Sequence, residues 1–382
     1  LIKSVVDHSV RTDHPLFMNQ MYGKQQLMGK VGDIVSTMLN TSMYTYEVAP
    51  VMTLIEQECI NRLCSFVWKK SRAKNGGVFT AGSSISNITA MTLARDRKFP
   101  LAKKNGLNGG PSFSIFVSDQ AHYSFVKGAM FLGFGQDCIV KVKSDSRGCI
   151  NIFELNLAIQ RSKEMGRVPL MLVGIAGTTF TGRLDPIGTL GKIAKKHKMW
   201  YHVDGAFGAS LLSSEHEARK FGGLEMADSL SWSLHKTMGV PLVCAVLLTK
   251  RSGILQESFS VDADYIFHDN DNHDLGQSSL QCGRRVDALK LWLAWKNVGD
   301  IGFEERIDSL MQVSGRFAEK VMNRDKLELY DKPETPLVCF RYCHSGFSQD
   351  QQDQLNISIR DEIFNEGKVL FNFATDLSGQ TW

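Results

Sequence analysis

The sequence predicts an α/β protein with a mostly parallel sheet and helices on both faces. Short apolar runs, among them Leu170 to Ile175, Met199 to Val203 and Cys244 to Leu248, are bounded by glycine, proline or polar residues, as buried strands are. Helix-like stretches alternate with them, such as Gly188 to Lys198 between the first two. The 382 residues, 43% of them apolar, suffice for a large core and two domains. The expected division is an N-terminal segment 1–20, a large domain 21–295 and a smaller, truncated C-terminal α/β domain 296–382.

In chain order, His14-Pro15-Leu16-Phe17-Met18-Asn19-Gln20 forms an extended entry. Met52, Ile55, Cys59, Leu63 and Val67 recur at the three-to-four spacing of an amphipathic helix. Gly76 to Asn87 is a small-residue turn running into a helix over Ile88 to Arg95. Such a turn offers free amides and hydroxyls to an anion, although a plain helix cap needs the same residues. Ser112 to Val117 is a strand, followed by His122 and a helix through Met130. The strand over Leu170 to Ile175 precedes Gly177-Thr178-Thr179, and the one over Met199 to Val203 ends on Asp204. Ala227 to Trp232 leads to Ser233-Leu234-His235-Lys236. Tyr265 to Gln281 is a polar loop carrying Asp269, Asp271 and Asp274. Helices follow through Trp295 and over Phe303 to Val321, then short extended segments near Leu329 and Val338.

Composition excludes several classes. The longest apolar runs are too short to span a bilayer, and no signal peptide is visible; the cysteine usage points to a cytoplasmic protein. The chain begins without methionine and stops abruptly, as a piece of a longer one would. Eight scattered cysteines form no Cys-x-x-Cys pair, which predicts reduced thiols and no metal site. Lys192, Lys195, Lys196 and Lys198 read as the solvated face of a helix rather than a nucleic-acid site, and net charge is only +4.

The order of the polar elements carries the chemistry. A phosphate turn, an aromatic ring at a strand exit, an acid at a strand end and a His-Lys pair together suit pyridoxal 5'-phosphate. The hydroxyls of Ser83 and Ser84, with Ser233 and His235, can receive the phosphate. His122 can stack on the ring, and Asp204 can keep the ring nitrogen protonated. Lys236 can condense with the aldehyde, and desolvation beside another cation would lower its pKa.

The residues Asn19-Gln20, Thr45 to Pro50, Ser84-Ile85-Ser86-Asn87, Ala121-His122-Tyr123-Ser124, Gly177-Thr178-Thr179, His202-Val203-Asp204, His235-Lys236 and Gln281 to Asp287 make the chain resemble the group II pyridoxal-phosphate-dependent decarboxylases. They point to the branch acting on glutamate, cysteine sulfinate and aspartate, and the match runs through nearly the whole chain. The resemblance implies fold type I, as in aspartate aminotransferase, and a homodimer with active sites at the interface. It implies Lys236 as the lysine that carries the cofactor, Asp204 on the pyridine nitrogen, His122 on the ring and Ser83 and Ser84 on the phosphate. Thr178 would lie near the ring, and Gln20 near the substrate carboxylate.

Two departures bear on the substrate. Ser42-Met43-Tyr44 resembles the cysteine sulfinate and aspartate enzymes, where glutamate enzymes carry Asn-x-Phe, so Ser42 and Tyr44 are candidate substrate contacts. Tyr22 adds bulk that should favour a shorter acid, since one methylene is worth about 1–3 kcal/mol of discrimination. The loop Phe267 to Ser279 lacks the tyrosine that glutamate enzymes use to return a proton, and the carboxylate-binding arginine would fall beyond Trp382. Alternatives are a glutamate decarboxylase, an aromatic amino acid decarboxylase or aminotransferase, and a silent homologue acting as a binding subunit.

Overall fold

The computed structural model describes residues 1–69, 74–261, 263, 267, 273–376 and 378–382. Of the polar loop, 265, 266 and 268–272 lie outside the described residues, so the expectation about its missing tyrosine, and Asp269 and Asp271 with it, lies there too.

The chain opens with α1 (Ile2–Asp7), α2 (Leu27–Leu39) and α3 (Pro50–Val67). Next come β1 (Gly76–Thr80), α4 (Ser83–Lys98), α5 (Ala102–Asn105), β2 (Phe113–Ser118), α6 (Ser124–Phe131) and β3 (Ile139–Val142). The middle holds α7 (Ile152–Glu164), β4 (Val168–Ile175), α8 (Ile187–Lys196), β5 (Trp200–Asp204), α9 (Glu215–Ala218), β6 (Ser229–Ser233) and β7 (Ala245–Thr249). Then follow α10 (Ile254–Phe259), α11 (Asp287–Met322), β8 (Leu327–Leu329), β9 (Phe340–Tyr342) and α12 (Gln349–Asn365). Gly299, at φ 66°, kinks α11 between the two helices that the sequence pattern separates.

Seven strands form one sheet in the order β1-β7-β6-β5-β4-β2-β3. Strands β2 to β6 pair in parallel, whereas β7 is antiparallel to both β6 and β1. The exception has a simple cause. Only a short, non-helical segment joins β6 to β7, and a parallel return needs a longer crossover. The small second sheet is an antiparallel β8-β9 pair.

Alternate strand residues enter opposite cores. Tyr201, Val203, Leu230 and Trp232 join the core formed with α3, α8 and α11, while Ile115, Val117, Met171 and Val173 pack on the face with Ala90, Met91 and Leu93 of α4. The helix expected from Ile88 begins at Ser83 instead. Ser83 to Asn87 are weak helix formers, but tertiary hydrogen bonds hold them, such as the 2.7 Å bond between Thr80 and Ser86.

A buried ion pair ties the sheet to α3. Arg284 Nη1 and Nη2 donate to the Glu56 carboxylate at 3.1 and 3.0 Å, and both side chains are almost fully enclosed. Nη1 also donates to the Phe79 carbonyl at 3.2 Å. Removing one partner strands a buried charge. Glu56→Ala is therefore expected to cost roughly 3–5 kcal/mol of stability, read as a lower urea midpoint.

Candidate active site

The polar residues singled out in sequence converge because of strand direction. Ser83, His122, Thr178, Asp204 and Lys236 lie at or just beyond the C-terminal ends of β1, β2, β4, β5 and β6. Ligands of open α/β sheets bind at that edge.

Asp204 is the last residue of β5 and is 6% exposed. Its Oδ2 accepts from Asn87 Nδ2 at 2.9 Å, and its Oδ1 accepts from Ser231 Oγ and the Ala206 amide, both at 3.1 Å. Behind it, the buried His202 lies 3.0 Å from Asn87 Oδ1 through Nε2 and 2.8 Å from Ser229 Oγ through Nδ1. Burial pushes the His202 pKa down from its ordinary 6.5, against the pull of Asp204.

Lys236 follows β6 in a tight turn in which its amide donates to the Ser233 carbonyl at 3.1 Å. The turn is braced by Arg306, whose Nε donates to the Thr237 carbonyl at 2.8 Å. Gly239, at φ 69°, leaves room for that guanidinium: a Cβ there would come within 2.6 Å of it. Lys236 Nζ lies 3.8 Å from the Met21 thioether, a weak acceptor, and no carboxylate of the described residues forms a salt bridge with it. Burial lowers its pKa and the Asp204 charge opposes the change. The expected second cation is absent as a cause, because burial holds the neighbouring His235 neutral, its pKa pushed down to about 4.

His122 is half-buried, and its Nδ1 accepts from the Ser124 amide at 3.2 Å, which leaves the proton of the neutral ring on Nε2. Burial lowers its pKa most, with Asp204 and Lys236 acting on it in opposite senses. Its ring centroid sits 4.1 Å from that of Tyr123.

At the start of α4, Gly82 adopts φ 100°, and no side chain caps the helix. The first amides, at Ser83 and Ser84, thus have no intrahelical acceptor and face the strand edge with the N-terminal end of the helix dipole. Ser83 Oγ is 2.6 Å from Ser233 Oγ.

The other candidates divide. Thr178 is buried and belongs to its own turn, 2.9 Å from Thr181 Oγ1 and accepting from the Arg183 amide at 3.1 Å. Gln20 is exposed, next to the Met21 that meets Lys236. Nearby, Asn19 Oδ1 is buried without a partner. Hydrogen bonds hold the Ser42–Tyr44 stretch to the end of the polar loop and the segment after it rather than to Lys236: the Gly276 amide donates to the Tyr44 carbonyl at 2.9 Å and the Met43 amide to the Arg284 carbonyl at 3.1 Å.

These groups fit pyridoxal phosphate. An uncapped helix start with two serine hydroxyls suits a phosphate, an enclosed carboxylate suits a ring N–H, and an amine without an acid partner suits an aldehyde. Asn87, His202, Ser229 and Ser231 were given no role from sequence. Their one visible signal is the alternation His202-x-Asp204, which puts both on one face of β5.

Comparison with known proteins agrees. The model described as the pyridoxal-dependent decarboxylase conserved domain matches residues 2–343, and the chain belongs to this family. Its cofactor is pyridoxal 5'-phosphate and its architecture fold type I. Among its relatives, it is 37% identical over 353 residues to an acidic amino acid decarboxylase of Xenopus tropicalis, spanning 91% of this chain and 68% of the other. It is 38% identical over 384 residues to the cysteine sulfinic acid decarboxylase of Homo sapiens, spanning 97% and 77%. The crystal structure of mouse CSAD matches with a TM-score of 0.95 at 34% identity, covering 99% of this chain and 80% of that one.

The buried histidines predict an acid sensitivity. Between pH 6.5 and the depressed folded pKa, the unfolded chain takes up protons that the fold refuses. The stability they contribute is complete above pH 6.5 and is lost as pH falls through that window. Asp185, pushed up to about 7 by burial, acts in the opposite sense. Urea midpoints at pH 7 and pH 5 should therefore fall less steeply for His202→Gln than for the wild type.

Proposed function

We propose that this chain decarboxylates an acidic L-amino acid, cysteine sulfinate or aspartate first, giving hypotaurine or β-alanine, with glutamate as the alternative. The reading rests on one observation above all: the Lys236 amine, in no salt bridge among the described residues, lies at the same strand edge as the enclosed Asp204. When bound, pyridoxal phosphate supplies a conjugated ring that accepts the electron pair left as the α-carboxylate departs as CO2.

The chain's own residues then have distinct tasks. Lys236, biased toward the neutral amine by burial, offers Nζ to the aldehyde. Asp204 would accept the ring N–H, and Ser83, Ser84 and Ser233, with neutral His235, would hold the phosphate. His122 would cover the ring while keeping a proton on Nε2. Thr178 would shape the turn beside the ring. Gln20, Ser42 and Tyr44 contact the substrate and orient the breaking bond. The names of the relatives, an acidic amino acid and a cysteine sulfinic acid decarboxylase, support the acid class. Ser42, Tyr44 and the bulk of Tyr22 support the shorter acids.

The protein acts as a homodimer in this reading. Leu27, Ile34 and Met38 recur along one side of α2 at 73%, 60% and 78% exposure, an apolar stripe that a second copy would cover. The opposite side, with Gly29 and Gly32, is closed against Pro241 and Lys290. We also place the protein in the cytoplasm, where its eight unpaired cysteines suit reducing conditions. No helix among the described residues is long and apolar enough to cross a membrane. The large and small domains are taken to divide near residue 295.

Purified protein with added cofactor should release CO2 from cysteine sulfinate or aspartate faster than from glutamate or an aromatic amino acid. Lys236→Ala should lower this by on the order of 10³-fold or more. Amino transfer to a keto acid without CO2 release would overturn the reading. In sedimentation the wild type should run as a dimer, and Ile34→Glu with Met38→Glu should shift it toward monomer.

A further inference from the structure

We infer that Trp200, Ser229, His202 and Asn87 form a one-way hydrogen-bond relay that fixes Asp204 as a pure acceptor toward the cofactor ring nitrogen. This rests on the proposed pairing of Asp204 with that nitrogen and assigns the four residues as positioning residues.

The chemistry of the Asp204 end sets the direction, and the Trp200 end is compatible with it. The Trp200 indole can only donate, and its Nε1 gives its hydrogen to Ser229 Oγ at 2.8 Å. That leaves the Ser229 hydroxyl hydrogen free for His202 Nδ1, 2.8 Å away. With Nδ1 accepting, the ring proton sits on Nε2 and goes to Asn87 Oδ1 at 3.0 Å. The Asn87 amide group then faces the other way, and Nδ2 donates to Ser124 Oγ at 3.0 Å and Asp204 Oδ2 at 2.9 Å. A flipped Asn87 would set its oxygen against the Asp204 carboxylate, so Oδ1 must face His202 and requires the ring proton on Nε2.

The fold explains why these residues meet. Trp200, His202 and Asp204 alternate along β5 and share a face, and in the parallel register Ser229 and Ser231 lie opposite His202 and Asp204. Helix α4 lies over this face and sets Asn87 against both His202 and Asp204. Every member is buried, and His202 and Ser229 are 0% exposed, so bulk water cannot replace a lost link. Asparagine inside a helix and histidine inside a buried strand are poor local choices, and such conflicts gather at functional sites.

The test uses holoenzyme reconstituted with cofactor labelled with ¹⁵N in the ring. The readouts are the ring-nitrogen chemical shift, the dissociation constant of the cofactor, and the thermal midpoint of the apoprotein as a check on folding. Asp204→Asn is the reference and should displace the ring-nitrogen signal. Ser229→Ala and Trp200→Phe should move it part of the way in the same direction and weaken cofactor binding by about 3- to 10-fold. His202→Gln, which can still donate to Asn87, should stay closer to wild type than His202→Leu. A wild-type signal in folded Ser229→Ala and Trp200→Phe, with Asp204→Asn displaced, overturns the relay and leaves the Asp204 pairing standing. An unmoved signal in Asp204→Asn overturns the pairing itself, and the relay with it.

Discussion

The bond from Asn87 Nδ2 to Asp204 Oδ2 joins the helix that begins at the serine turn to the strand that ends in the acid. Asn87 is four residues after Ser83, one turn along α4, so the uncapped helix start and the anchor of the acid lie about 6 Å apart along the axis. The helix acts as a ruler between the two ends of the proposed cofactor site. Lys236 is referred to the same frame, because β6 pairs with β5 in fixed register, Asp204 opposite Ser231. A slip of one residue would turn Asp204 into the opposite core.

The same helix gives the molecule its polarity. Its start faces the proposed phosphate, and its last turn carries Arg95, Arg97 and Lys98. Lys195 and Lys196 likewise end α8. Arg97, Lys98, Lys195, Lys198 and Lys250 line a hollow of about 570 Å³ that also touches Trp200. Cations there complement the negative ends of two helices, which accounts for the basic cluster without a bound anion. Lys192, Lys195, Lys196 and Lys198 are exposed, as a solvated helix face should be.

Much of this was legible in the linear sequence because strand exits have a local signature. Asp204 and His122 each follow an apolar run and Lys236 follows the alternating Ser229 to Leu234, and the structure places all three at one edge. The network around Asp204 was not legible, since Asn87 and Asp204 are 117 residues apart and nothing local pairs them. The direction of β7 was hidden too, because an apolar run has no polarity until its connection is known. Helix α2 escaped notice for another reason: its apolar side points outward and its buried side is Gly29, Gly32 and Ser36, the reverse of the usual pattern. The neutral state of His235 depends on burial, which spacing along the chain does not reveal.

Among the described residues, strand β1 pairs with β7 alone, Gly76 opposite Thr249. On a ribosome the earlier strand therefore emerges roughly 170 residues ahead of that neighbour, an interval of on the order of ten to thirty seconds at ordinary elongation rates. Throughout it Gly76 to Thr80 lacks its pairing strand, and the sheet edge that carries Ser83, Asp204 and Lys236 is complete only once β7 has been made.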